Sequence, residues 1–134
     1  RIVPNIDYAQ GMATSLRAGI AALGSEAQAA LVVLGDTPEV DPAVFAALLA
    51  AYRAEGRPMT LPVYGGIPGP PTLFSRAAFP ALAQLTGDQG ARRILVEHPD
   101  WVTRVPLPVA LIPRDIDTPD DYRAYIDREG YPKG

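Results

Sequence analysis

Two acidic residues stand where an α/β protein would place a cation. Asp36, in Leu34-Gly35-Asp36-Thr37-Pro38, follows directly on Ala29-Ala30-Leu31-Val32-Val33-Leu34, a continuous apolar run with adjacent β-branched residues. Such a run reads as a strand buried on both faces of a parallel sheet, and open α/β sheets bind ligands beyond the carboxyl ends of their strands. Gly35 lets a ligand come close to the backbone there. Asp117, in Asp115-Ile116-Asp117-Thr118-Pro119, ends a second extended piece. Carboxylates suit a hard cation: Mg²⁺ takes oxygen ligands, commonly one or two protein carboxylates together with substrate phosphates. If both strand ends lie along one sheet edge, Asp36 and Asp117 share a cation. Capping explains the same residues differently. Asp36 would then close the turn before Pro38, and Asp117 would belong with Thr118, Asp120 and Asp121 to a helix start favoured by the macrodipole. Asp120 and Asp121 are assigned to capping; for Asp36 the pattern alone leaves both roles open.

Other chemistry is thin. His98, the single histidine, lies in the polar stretch Glu97-His98-Pro99-Asp100 and reads as a solvated helix end. The absence of cysteine excludes disulfides, thiolate metal sites and cysteine nucleophiles, and it is compatible with a cytoplasmic location. Gly65-Gly66-Ile67-Pro68-Gly69-Pro70-Pro71 lacks the lysine and spacing of a Walker loop. Arg92 and Arg93 read as a solvated helix face, and Tyr122 and Tyr125 as core. The 12 Lys and Arg are scattered and outnumbered by 15 Asp and Glu, unlike the basic face of a nucleic-acid binder. No apolar run nears the roughly 20 residues of a membrane span. A small anionic ligand remains compatible, held by helix N-termini and a metal.

The elements that must position these residues alternate along the chain. Leu16, Ile20 and Leu23 at helical spacing predict an amphipathic helix over 14–23, stopped by Gly24. After the 29–34 strand, Asp41-Pro42 starts a helix with an N-cap and a first-turn proline, Val44, Leu48, Leu49 and Tyr52 inward and Gly56 at its end. A strand over 59–64 leads into the 65–71 segment, which fits neither helix nor regular strand. A short strand over 72–74 follows, then a helical stretch over 75–85 in which Pro80 must fall at a kink or break. Asp88 reads as the cap of a helix running to Val96, and 102–107 as a strand. Thr118-Pro119 starts a last helix with Tyr122, Tyr125 and Ile126 inward. This alternation argues for a single domain, residues 1–134, with a layered α/β/α architecture.

Five motifs in order then carry a family resemblance. Asn5, Gly11 and Ser15-Leu16-Arg17-Ala18-Gly19, Leu34-Gly35-Asp36-Thr37-Pro38, Gly69-Pro70-Pro71 with Leu73-Phe74, Gly87-Asp88-Gln89-Gly90-Ala91-Arg92, and Asp115-Ile116-Asp117-Thr118-Pro119 resemble the corresponding stretches of molybdenum cofactor cytidylyltransferases. The resemblance implies the C-terminal portion of a three-layer α/β/α, Rossmann-like nucleotidyltransferase fold with a mostly parallel mixed sheet, its N-terminal part missing. It also implies Mg²⁺-dependent transfer of a nucleotide, CMP from CTP, to a phosphate-bearing acceptor such as molybdopterin, with release of pyrophosphate. Asp36 and Asp117 would hold the metal, Gly11, Ser15 and Gly35 would lie at the nucleotide, and Gly69, Pro70 and Pro71 would border the acceptor. Association with a molybdoenzyme or its chaperone is a further implication, with no nucleic-acid or membrane partner. Two departures matter. The family's phosphate loop, Leu-Ala-Ala-Gly-x-x-x-Arg-Met-Gly followed by a lysine, does not occur in this sequence, so the chain alone is expected to be inactive. Pro70 stands where the family usually has histidine. Alternatives are a non-catalytic relative that keeps the fold and binds nucleotide, or a transferase acting on a sugar phosphate or another cofactor.

Overall fold

Strand alternation divides the apolar residues between two faces of one sheet, and the computed structural model, which describes residues 1–88 and 90–129, places helices on both. The strands are β1 (Ala29–Val32), β2 (Met59–Tyr64), β3 (Ile67–Pro68), β4 (Thr72–Ser75) and β5 (Val102–Leu107). The helices are α1 (Met12–Ala21), α2 (Pro42–Glu55), α3 (Phe79–Ala83), α4 (Arg92–Glu97) and α5 (Pro119–Glu129). β4 lies between β1 and β2 and runs antiparallel to both. β5 runs parallel to β2 along its other edge, from Met59 opposite Val102 to Tyr64 opposite Leu107. The sheet is therefore mixed: β1, β2 and β5 share one direction, while β3 and β4 take the other. Met59, Leu61, Phe74 and Val102 pack with Ala13, Leu82 and Ile94 on the face covered by α1, α3 and α4. Tyr64 packs on the opposite face with Val44 and Leu48 of α2.

Local rules set most boundaries. The Asp41 side chain accepts from the Ala43 amide at 2.8 Å, capping α2, and Gly56 ends that helix in the left-handed conformation, φ 65°. Pro80 sits in the first turn of α3, where a missing N–H removes no helical hydrogen bond. That proline divides the expected 75–85 helix into a 3-10 turn, Arg76–Ala78, and the short α3.

Several expectations need correction. β1 is an edge strand with all four residues only half-buried, and Val33 and Leu34 lie beyond it, 43% and 39% exposed. Among the described residues it pairs with β4 alone, which leaves its other edge open. Gly24 does not end α1; the helix closes at Ala22 in ordinary right-handed geometry. The α2 stripe is narrower than its spacing suggested, with Leu49 exposed. Within the 65–71 segment, Ile67 and Pro68 pair with β2 as β3. Residues 115–117 form no strand. Tyr122 is exposed, because α5 lies at the margin of the fold and buries no residue fully.

Candidate functional site

The start of α1 is assembled from three distant stretches. Gly11 has φ 114°, and a Cβ there would stand 2.6 Å from the Gly87 carbonyl carbon, so only glycine allows this approach. The Ala13 amide donates to the Gly87 carbonyl at 3.1 Å. Asp88 caps α1, its carboxylate accepting from the Met12 amide at 3.1 Å. It does not cap the following helix, which begins only at Arg92 and has no side-chain cap. Asn5 Nδ2 donates to Thr14 Oγ1 and Ser15 Oγ, each at 2.8 Å, fixing both hydroxyls at the first turn of α1.

The Asp36 turn is held from below. Thr37 is buried, and both its amide and its hydroxyl donate to the Leu34 carbonyl, at 3.2 and 3.0 Å. The Ile116 amide donates to the Asp36 carbonyl at 2.8 Å, which brings the Asp115-Ile116-Asp117 stretch against the turn beyond β1. α5 fastens the same junction: Nη2 of Arg128 lies 2.9 Å from both carboxylate oxygens of Glu39. Asp121 accepts from the amides of Asp117 and Thr118 and from the Thr118 hydroxyl, a reciprocal cap at the start of α5. These bonds, led by the one from the Thr118 hydroxyl, hold the Asp121 carboxyl below the ordinary carboxylate value. The side-chain carboxylates of Asp36 and Asp117 are exposed and make no hydrogen bond or ion pair among the described residues. They are hard oxygen donors on adjoining backbone segments, the kind a hard divalent cation takes. No group of three or more His, Cys, Asp or Glu that could hold a metal ion occurs among the described residues.

A groove of about 740 Å³ is lined by residues of α1, β1 and β4. Its lining includes the polar Ser15, Asp88 and Arg92 together with Gly35, and Pro70 forms part of its wall. Leu16, Ile20 and Val32 contribute apolar lining. Asp36, which follows Gly35, and Asp117 lie outside the lining, and Gly11 is spent on the contact with Gly87. Gly69 and Pro71 support the wall from behind. Gly69 lies against the Tyr64 ring, Pro71 is buried, and the Pro70-Pro71 peptide is cis. His98 stacks on Trp101 at 4.0 Å, away from this groove, and Arg93 pairs with Glu97 at 2.6 Å.

Two residues do work that the sequence does not assign to them. Asp88 acts 76 positions away from its own stretch, and nothing local to Gly87-Asp88 signals a cap for α1. Tyr64 reads as an ordinary strand residue, yet its hydroxyl donates to the Pro70 carbonyl at 2.8 Å. Burial pushes that hydroxyl's pKa above its ordinary value. The three prolines after it, which cannot donate, are the available hint of an outside tether.

Comparison with known proteins agrees with this geometry. The family model of the MobA-like NTP transferase domain matches residues 1–102. The molybdenum cofactor cytidylyltransferase of Escherichia coli (strain K12) is 33% identical over 121 residues, which cover 90% of this chain and 59% of that protein. The crystal structure of Rv0371c from Mycobacterium tuberculosis H37Rv is similar with a TM-score of 0.71 at 31% identity, covering 86% of this chain and 59% of that one. A complex of Rv0371c with manganese gives a TM-score of 0.70 at 31% identity, with 84% and 59% covered. The homologue from Mycobacterium sp. strain JC1 gives 0.71 at 29% identity, with 85% and 56% covered. The chain thus spans under three-fifths of the length of these relatives.

Proposed function

This chain belongs to the family of MobA-like NTP transferase domains, and from that premise we propose that the full-length protein transfers CMP from CTP to a phosphate-bearing acceptor, molybdopterin or a close relative. The observation that carries the reading is the hydrogen bond from Ile116 to the Asp36 carbonyl, which joins the two aspartate stretches beyond the carboxyl end of β1. In the reaction an oxygen of the acceptor's phosphate forms a bond to the α-phosphorus of CTP. The bond from that phosphorus to the bridging oxygen breaks, and pyrophosphate leaves with the electron pair. Asp36 and Asp117 are the residues that would hold Mg²⁺, which supplies charge neutralisation at the triphosphate. Ser15, held by Asn5, and Gly35 lie at the nucleotide side of the groove; Gly69, Pro70 and Pro71 build the acceptor side. Their contribution is positioning. The manganese complex of Rv0371c supports a divalent metal in the family.

The test is Asp36→Ala in the full-length protein. Mg²⁺-dependent pyrophosphate release from CTP in the presence of molybdopterin should be abolished, and unchanged turnover would remove Asp36 from the site.

One observation favours a second reading, nucleotide binding without transfer. Pro70 puts no polar side-chain atom on the groove wall where the resemblance places histidine. Calorimetric titration with CTP, GTP and Mg²⁺ distinguishes the two: binding without pyrophosphate release, acceptor present, favours the binding module. A panel of nucleotides and acceptors, sugar phosphates included, decides the substrate.

A further inference from the structure

We propose that Tyr64 is a positioning residue for the acceptor side of the groove, setting the path of residues 69–71 through its hydroxyl and its ring. This rests on the nucleotidyl-transfer reading above, in which that stretch borders the acceptor.

Tyr64 ends β2, the strand bonded to neighbours on both edges, and is 1% exposed with Val44 and Leu48 of α2 packed against it. It is therefore a rigid base for whatever it touches. The segment that follows contains Pro68, Pro70 and Pro71, which have no backbone N–H to tether them. The Gly65 amide reaches the Leu107 carbonyl at 3.1 Å and the Gly69 amide the Pro62 carbonyl at 3.2 Å. Past Gly69 no amide donor exists until Thr72, where β4 begins. Over that gap the described structure holds the chain by one hydrogen bond, from the Tyr64 hydroxyl to the Pro70 carbonyl at 2.8 Å. The ring adds a floor. A methyl group on Gly69 would meet Cε2 and Cδ2 of Tyr64 at 3.1 and 3.2 Å, so the backbone lies close against one edge of the ring. Pro70 in turn lines the same groove as Ser15 and Gly35. The tyrosine never enters the groove, yet it determines where that wall stands. Its raised pKa keeps the hydroxyl a donor throughout the neutral range.

Two variants separate the hydroxyl from the ring: Tyr64→Phe removes the tether and keeps the floor, and Gly69→Ala keeps the tether and crowds the floor. In the full-length protein, with CTP and molybdopterin varied separately, Tyr64→Phe should raise KM for molybdopterin about five- to tenfold, the equivalent of roughly one neutral hydrogen bond. KM for CTP should stay within about twofold of the wild-type value, because the variant leaves the nucleotide side intact. Gly69→Ala should shift the same constant in the same direction. A drop in Tm with both KM values unchanged, or a rise confined to KM for CTP, would overturn the proposal. Amide hydrogen exchange at Gly69 and Thr72 reads the tether without turnover and should accelerate in Tyr64→Phe. Unchanged exchange overturns the tether whatever the kinetics. Accelerated exchange in a protein whose wild type releases no pyrophosphate would instead overturn the transfer reading and leave the tether standing.

Discussion

Asp36 and Asp117, with Asp115 beside them, are acidic residues whose side chains make no hydrogen bond or ion pair among the described residues. Asp41 caps α2, Asp88 caps α1, Asp121 caps α5, and Glu39 pairs with Arg128. Carboxylates left exposed and unpaired beside capped neighbours are available to a ligand. Asp117→Ala should therefore raise the Mg²⁺ concentration needed for half-maximal pyrophosphate release, read from a metal titration of the full-length protein. An unchanged titration would assign Asp117 to the helix start alone. Gly11 makes the opposite case, a motif residue whose work is packing. A methyl group there overlaps the Gly87 backbone and must also adopt φ 114°, so neither neighbour can give way cheaply. Gly11→Ala should cost about 2–4 kcal/mol of stability, measured by urea unfolding; a loss near zero would mean that the two loops part easily. These roles were unequally legible in the sequence. Asp36 and Asp117 were visible as acidic residues at the ends of extended pieces. Gly11 was visible as a glycine in a motif, but its reason lies in Gly87, and no local pattern encodes that contact.

Elements inherit the same division between local and distant causes. α2 was readable because its cap, its first-turn proline and its closing glycine are all its own. α1 was readable in its apolar spacing but not in its start, since the cap comes from Asp88. Its first turn carries Thr14 and Ser15, so the cap should matter to the nucleotide side of the groove. Asp88→Ala should cost about 1 kcal/mol and raise KM for CTP, whereas Asp88→Asn, which keeps an acceptor oxygen, should restore most of both. Equal effects of the two substitutions would point to the charge and not the cap. The start of α5 is sensitive to acid. The Asp121 pKa is depressed in the folded chain, so its contribution is fully present above its ordinary value, 3.8, and is lost as pH falls below it. Acid should therefore loosen α5 before the sheet, seen as faster exchange of the Asp121 amide below about pH 4; Asp121→Asn should remove that pH dependence. The edge position of β1 is not encoded in its own residues, for a physical reason. A continuous apolar run marks a strand whose two faces are suited to burial, but it does not say whether a neighbour lies on each edge.

At the scale of the whole molecule, the sheet is unevenly protected. β2 is bonded to β4 and β3 on one edge and to β5 on the other, while β1 among the described residues is bonded to β4 only. The groove is lined by residues of β1, β4 and α1, among them exposed Met12, Leu23, Val33 and Leu34. Strand pairing and apolar cover both resist local opening, so this chain should exchange its amides slowest in β2 and fastest in β1, at the positions pointing away from β4. Protection of both sets of β1 amides would mean that something covers the edge, and a dependence on protein concentration would identify it as a second copy. The consequence reaches the site, because Asp36 is joined to β1 through residues 33–35 and its turn is closed on Leu34 by Thr37. If β1 and the turn open as one unit, the Thr37 amide should exchange at the rate of the outward β1 amides despite its burial. Exchange of Thr37 at the rate of β2 would instead mean that the turn is held from the other side, by α2 and by the Ile116 bond, and that the open edge leaves the position of Asp36 untouched.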